Sequence, residues 1–302
     1  MARIRKTTTL EYASNYPIVQ EGLNFALQVL GIPKEAATPF NKGGMGVLFL
    51  AKSNGINKLI KIPAYYTRTP DEYWLLRHGI KKEGNILSEI NCQLIPELFH
   101  LDSNGKFLVR EYFEGITLSK IDNHTVQKNK NQLILSLINT AKIVFNHIHI
   151  HSKGNFVIRD FKPKNLILPS PFSKQMRLID LGSLRPEQNM TSSSFSKNDK
   201  LGSGKWLYWA PEQLIENKKY LSRKADYFSF GATAFHILTG RPPYSNSISD
   251  PNLFFNRYLC EYSEAIKKTY YFSRKINLAQ KVIDLIIQSL HPKVSYREFN
   301  PE

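Results

Sequence analysis

Apolar residues change their period along the chain, and each change predicts a different kind of element. In residues 17–31, PIVQEGLNFALQVLG, Ile18, Leu23, Leu27, Val29 and Leu30 recur at helical spacing and Gly31 supplies a stop. This pattern predicts a short amphipathic helix that packs on whatever follows it. From 37 to 112 the apolar runs shorten to strand size in VLFLAK, KLIKIP and FLVREYF, broken by Gly and Asn turns, with one helical stretch, GIKKEGNILSEIN, among them. Beyond 117 the helical period dominates. NQLILSLINTAKIVFNHIHIH keeps it for twenty-odd positions, and KADYFSFGATAFHILTG is apolar nearly all round, as a helix buried on several sides must be. Two strand-sized pieces, NLIL and RLID, lie between these helices, while PEQNMTSSSFSKNDKLGSG is too polar and Ser-rich for a core. The expected organisation is a basic extension (1–36), a small antiparallel β lobe with one helix (37–112) and a larger helical lobe (113–302), an α+β class without internal repeats.

Composition narrows the function classes. A chain of 302 residues with 42% hydrophobic and 12% aromatic residues can bury a sizeable core and lies far from the composition of disordered chains. Two cysteines, Cys92 and Cys260, are far apart and lack CxxC spacing, which argues against a disulfide framework or structural zinc and favours a reducing, cytoplasmic setting. The opening MARIRKTTTLEYASNY turns polar where a signal peptide needs an apolar run, and no 18 uninterrupted apolar residues occur. The net charge of +16, from 41 Lys+Arg against 25 Asp+Glu, suits a polyanionic partner or nucleotide phosphate. Because the excess is spread along the chain, without a basic helix or an aromatic-basic strand, a dedicated nucleic-acid function is not expected.

Three local constellations carry chemistry. FNKGGMGVLFLAK puts Gly43, Gly44 and Gly46 in a turn between strands, where backbone N–H groups can approach phosphate closely, although such a cluster alone is often just a turn. Fifteen residues later Lys61 lies inside the apolar LIKI, where a lone ammonium needs an anionic partner. Glu83, framed by Ile86, Leu87 and Ile90, is the best-placed carboxylate, with Lys58 and Glu89 as competing choices. The third is VIRDFKPKN, with Asp160, Lys162 and Asn165 within six positions. His147 and His151 are four apart, as in some zinc sites, but no third ligand follows and packing is the better reading.

Taken in order from about residue 37 to 297, these motifs resemble a eukaryotic-like Ser/Thr protein kinase domain of the kind bacteria carry. The resemblance implies a bilobal fold using ATP with Mg2+ or Mn2+ and acting on Ser or Thr of a protein or peptide. NKGGMGV then matches the glycine-rich loop, with Asn41 at the first glycine's place, a mild change because Asn tolerates left-handed backbone. Lys61 would hold the nucleotide phosphates and Glu83 would pair with it. Leu48, Leu59 and Ile167 would enclose adenine, and Glu111 and Phe113 would offer it backbone groups beside Arg110 at the back of the pocket. Asp160 would orient the substrate hydroxyl, Lys162 neutralise the migrating phosphoryl group, and Asn165 and Asp180 bind the metal. Ile158 stands for the usual histidine and Leu181 for the usual phenylalanine. Asp226 would brace the catalytic loop and Glu212 would pair with Arg297.

In the segment 180–212 the familiar Thr-Pro pairing is absent from GSGKWLYW, so Lys205 or Ser203 would stand in. Arg159 beside the base would suit a phosphorylated segment, with Thr191, Ser192, Ser193, Ser194, Ser196 and Ser203 as candidates, or that segment is an unmodified Ser-rich loop. Two readings compete with a general protein kinase: a nucleotide-binding scaffold without turnover, and a specialised kinase acting on a peptide natural product or a host target.

Overall fold

The structure, a computed structural model, describes residues 10–43, 46–64, 70–151, 156–170, 173–187, 205–214, 222–243 and 251–301. The candidate phosphorylation sites and Gly44 lie outside these residues. The chain forms two compact units, one reaching to Tyr112 and the other starting at Phe113.

The first unit opens with α1 (Leu10–Ser14) and α2 (Pro17–Leu30), followed by β1 (Ala37–Gly43), β2 (Gly46–Ser53), β3 (Ile56–Ile62), α3 (Pro70–Glu89), β4 (Leu98–Leu101) and β5 (Leu108–Glu111). The strands form one antiparallel sheet in the order β1-β2-β3-β5-β4. Alternation along a strand sends successive side chains to opposite faces, and one face here carries Val47, Phe49, Ala51, Ile60, Ile62 and Val109. These residues share a core with Ala13 of α1 and with Val19, Leu23, Ala26 and Leu27 of α2. The basic extension therefore supplies five of the thirteen buried residues of this core. Its buried face differs from the expected one: Val29 is 51% exposed, while Val19 and Ala26 are fully buried.

Two strands carry no strand-like pattern of their own, and β1 was implied only by the glycine turn that follows it. β1 contains Pro39 and Asn41, both poor strand residues, and tolerates them because it is an edge strand with a register shift between those positions. The short β4 reads LFHL and is half-buried throughout. α3 is longer than GIKKEGNILSEIN suggested, because its first turns are polar or exposed; Trp74 and Leu75 face solvent before Leu76, Ile80, Ile86 and Leu87 turn inward.

The second unit contains β6 (Ile116–Thr117), α4 (Asn123–Lys128) and α5 (Lys130–Phe145), which widens into a π turn at Asn146–His151. Then come β7 (Phe156–Val157), β8 (Leu166–Leu168), β9 (Arg177–Leu178), β10 (Arg185–Pro186), α6 (Pro211–Leu214), α7 (Lys224–Thr239), α8 (Pro251–Lys275) and α9 (Gln280–Ser289). β6, β8 and β9 make a small sheet and β7 pairs with β10. α7 is buried on nearly every side and packs against α5, α8 and α9, which explains its all-round apolar sequence. The helix Lys130–Ile150 is long and apolar enough to cross a membrane, but most of it is buried in this unit's core.

Candidate active site

In β3 the core takes Ile60 and Ile62, so alternation turns Leu59 and Lys61 to the opposite face. On that face the register sets Leu48 opposite Lys61 and Arg110 opposite Leu59. Lys61 Nζ donates to Glu83 Oε2 at 2.5 Å, and Glu83 is 1% exposed. Ile80, Ile86 and Leu87, buried on α3, set the carboxylate's place. The competing choices are taken up elsewhere: Lys58 stands opposite Glu111 with its ammonium 5.0 Å from the centre of the Phe99 ring, and Glu89 is exposed.

The glycine turn joins β1 to β2, with Gly43 opposite Gly46. Gly46 has φ +153°, and a Cβ there would overlap the carbonyl of Ile62 on the next strand, so the position accepts only glycine. Asn41 corrects its expectation. It is not left-handed but sits in β1 beyond the bulge, its Oδ1 accepting from the amide of Lys42 at 2.8 Å. At the end of the unit the Glu111 amide donates to Glu97 O at 2.8 Å and that of Tyr112 to Asn57 O at 3.2 Å. Arg110 is buried.

In the second unit the loop after β7 is held from below by one carboxylate. Asp226, fully buried on α7, accepts from the amides of Ile158 (2.8 Å) and Arg159 (2.7 Å) and meets His149 Nε2 at 2.8 Å. The grip coincides with strain: Arg159 has φ +69°, a conformation non-glycine residues take only when their surroundings fix it. Gln213 Nε2 reaches the Arg159 carbonyl at 3.1 Å. His149 was missed in the sequence, where attention fell on His147 and His151. The π turn brings His149 to Asp226 and stacks it on Phe145, with ring centroids 4.9 Å apart, whereas His147 Nδ1 contacts Ile143 O of its own helix.

Directly after the strained peptide, Asp160 Oδ1 receives Lys162 Nζ at 2.5 Å. Asn165 Nδ2 lies 3.0 Å from Asp160 Oδ2 and 2.9 Å from its backbone O. The carboxylate is thus held by an ammonium on one oxygen and an amide on the other. With its nitrogen so occupied, Asn165 presents Oδ1 as its acceptor. The Asn165 carbonyl accepts from the amide of Ile179 at 3.0 Å, which ties it to the segment carrying Asp180, whose Oδ1 accepts from the Gly182 amide at 3.1 Å. Leu181 is buried, as is Ile167 on β8. Phe113 is buried under the Arg177 guanidinium, 4.5 Å above its ring.

One amide oxygen and one carboxylate from neighbouring segments suit Mg2+, which usually takes one or two protein oxygens and completes its shell with phosphates and water. Among the described residues no three His, Cys, Asp or Glu side chains group as a metal cage would require.

Two further contacts anchor the unit. Glu212 on α6 meets Arg297 in a bidentate pair, 2.6 and 2.9 Å, and Arg297 spends its other donors on the carbonyls of His291, Pro292 and Lys224. In the turn Lys205–Tyr208, which carries Lys205, the Tyr208 hydroxyl meets His236 Nδ1 on α7 at 2.5 Å with the rings stacked. Burial raises the Tyr208 pKa and lowers that of His236, so Tyr208 donates and His236 accepts.

The family description "Protein kinase domain" matches residues 41–298. The chain belongs to the protein kinase family. Members of that family use ATP and Mg2+. Among relatives, a Ser/Thr-protein kinase ATG1a of Arabidopsis thaliana is 30% identical over 216 residues, 68% of this chain and 31% of that protein. Ser/Thr-protein kinase D of Synechocystis is 31% identical over 69% of this chain and 41% of its own length, and Ser/Thr-protein kinase PknA of Nostoc 30% over 67% and 36%. This kinase domain thus spans less than half the length of these relatives.

Proposed function

We propose that this chain is a Ser/Thr protein kinase that transfers the γ-phosphoryl group of ATP to Ser or Thr hydroxyls of protein substrates, in the cytoplasm. The observation that carries the reading is the Asp160 carboxylate, held by Lys162 and Asn165 on a loop whose strained Arg159 is gripped by Asp226. A carboxylate fixed on both oxygens is aimed rather than mobile, as a group that must meet a hydroxyl proton needs to be. The names of the relatives point the same way.

In this reading Asp160 accepts a hydrogen bond from the substrate hydroxyl, aligns its oxygen for attack at the γ-phosphorus and takes the proton as the new O–P bond forms, while the bond from that phosphorus to the β,γ-bridging oxygen breaks and ADP leaves. Lys162 holds Asp160 before that step and meets the charge of the phosphoryl group during it. Lys61, fixed by Glu83, binds the α- and β-phosphates, while the glycine turn around Gly43, Gly44 and Gly46 offers backbone N–H groups to the chain of phosphates. Leu48, Leu59 and Ile167 bracket adenine, and Glu111 and Phe113 contact it through their backbones. Asn165 and Asp180 would hold Mg2+, or Mn2+ in its place, which supplies positive charge to the phosphate oxygens.

Radiolabelled ATP with a generic Ser-containing protein, comparing the native chain with Asp160→Ala, tests the proposal. The native protein should label the acceptor at least about a thousandfold faster, as expected when an aimed base and its alignment are both lost. Equal background from both would leave a nucleotide-binding scaffold as the better reading.

A further inference from the structure

Far along the second unit, the last turns of α8 carry a basic and aromatic face that the phosphotransfer chemistry does not use. Lys267, Tyr270, Tyr271, Arg274 and Lys275 line an open hollow there. They fall at i, i+3, i+4, i+7 and i+8, one side of a helix. Lys267, Arg274 and Lys275 are exposed, and so is Tyr271, at 57%. Among the described residues the Lys267 and Arg274 side chains have neither a carboxylate nor a hydrogen-bond partner. Lys275 sits over the Tyr271 ring at 4.3 Å. The nearest carboxylate along the helix, Glu264, is occupied by Lys268 at 3.6 Å.

Charge is also crowded beneath the face. Lys130, buried at the start of α5, donates to Leu238 O at 2.6 Å and lies 5.3 Å from the Phe272 ring. Its pKa is lowered, first by burial and then by the positive charge of Lys275. Uncompensated cations that repel one another favour an anionic ligand that enters from outside.

We propose that this face of α8 docks an acidic segment of the protein substrate, at a distance from the residue being phosphorylated. This rests on the kinase reading above. A protein segment is favoured over a membrane because Tyr271 is the one strongly exposed aromatic residue on the face, too little to anchor a surface helix in lipid. It is favoured over nucleic acid because the cations occupy two helical turns rather than a long track.

The fold fixes the separation. Lys130 and Asn131, whose Nδ2 donates to Ile276 O at 2.6 Å, place the end of α8 at the start of α5. The other end of α5 is beside the catalytic loop, with the Phe145 and Phe161 rings 5.2 Å apart. Sixteen helical residues span about 24 Å, which an extended peptide covers in about seven residues. The acidic segment must therefore lie at least about seven residues from the acceptor Ser or Thr.

The test combines binding and kinetics on the full chain. Fluorescein-labelled octaglutamate is titrated by anisotropy against the native protein and K267E/R274E/K275E, with K267Q/R274Q/K275Q as a milder variant should the charge reversal fail to fold. Native protein should bind at least tenfold more tightly than either folded variant. In kinetics, a Ser peptide with the glutamate run twelve residues away should have a KM about tenfold higher with the variants, at unchanged kcat. The same peptide with the run three residues away, or without it, should not respond.

Equal peptide binding by native and variant protein would overturn the proposal. So would patch-dependent capture of phosphatidylserine vesicles or single-stranded DNA without capture of the peptide. Were the kinase reading itself wrong, no peptide would be phosphorylated while octaglutamate binding stayed sensitive to the substitutions, so the two failures can be told apart.

Discussion

Lys61 and Glu83 are buried, paired at 2.5 Å, and each depends on the other. Removing one member of such a pair leaves the other charge without compensation, which typically costs about 3–5 kcal/mol, whereas replacing both by neutral groups costs far less. Lys61→Met should therefore lower both thermal stability and phosphotransfer. The double change Lys61→Met, Glu83→Gln should restore most of the melting temperature and none of the activity. If stability and activity recovered together, the pair would be structural only. Lys61 was legible in the sequence because a lysine inside LIKI demands a partner, and Glu83 because the helical apolar frame singled it out. The φ of Arg159 was not, since nothing in VIRDF signals a left-handed residue and the conformation goes with the grip of Asp226, 67 residues later, on the amides of Ile158 and Arg159.

Elements were readable where period and burial agree. α2 was recognised because its apolar repeat ends at Gly31, yet which residues face inward depended on the sheet beneath, and Val29 proved exposed. α8, 25 residues long, escaped because its sequence is polar on balance, although its apolar residues do recur at helical spacing. The contact of α2 with β3 is close at Gly22, where an added Cβ would lie 2.8 Å from Ile62 Cγ2 and 3.2 Å from Lys106 O. Gly22→Val should destabilise by about 1–3 kcal/mol through overpacking. Because Ile62 adjoins Lys61, it should also raise the KM for ATP, read by coupled assay at a temperature where the variant is fully folded. An unchanged KM would confine α2 to a packing role.

The Tyr208–His236 contact makes stability depend on pH. An unfolded His binds a proton near pH 6.5, while the buried His236 does so only at lower pH. Between those two values the unfolded chain carries the extra proton, so acid favours unfolding. Melting temperature should fall as pH drops below about 6.5 and hold above it, and His236→Gln should flatten that slope, as measured by differential scanning calorimetry.

For the whole molecule, two units with separate cores should respond separately to damage. The order of motifs was enough to foresee a small β unit and a larger helical one, because that order is written in local patterns. The long-range pairs that close the second unit needed either a family resemblance, as for Glu212 with Arg297, or the coordinates themselves, as for His149 with Asp226. Arg297 is fully buried and uses all five of its donors, two on Glu212 and three on carbonyls. Arg297→Leu would strand the Glu212 carboxylate and three acceptors in the interior at a cost of about 3–5 kcal/mol. The loss falls on the junction of α6, the start of α7 and the turn after α9. Hydrogen exchange should therefore quicken in residues 205–214 and 222–243 of the variant while the sheet of the first unit, whose core is shared with α2, keeps its protection. Uniform acceleration in both units would mean that they unfold as one cooperative body, and that the separate cores do not act as separate folding units.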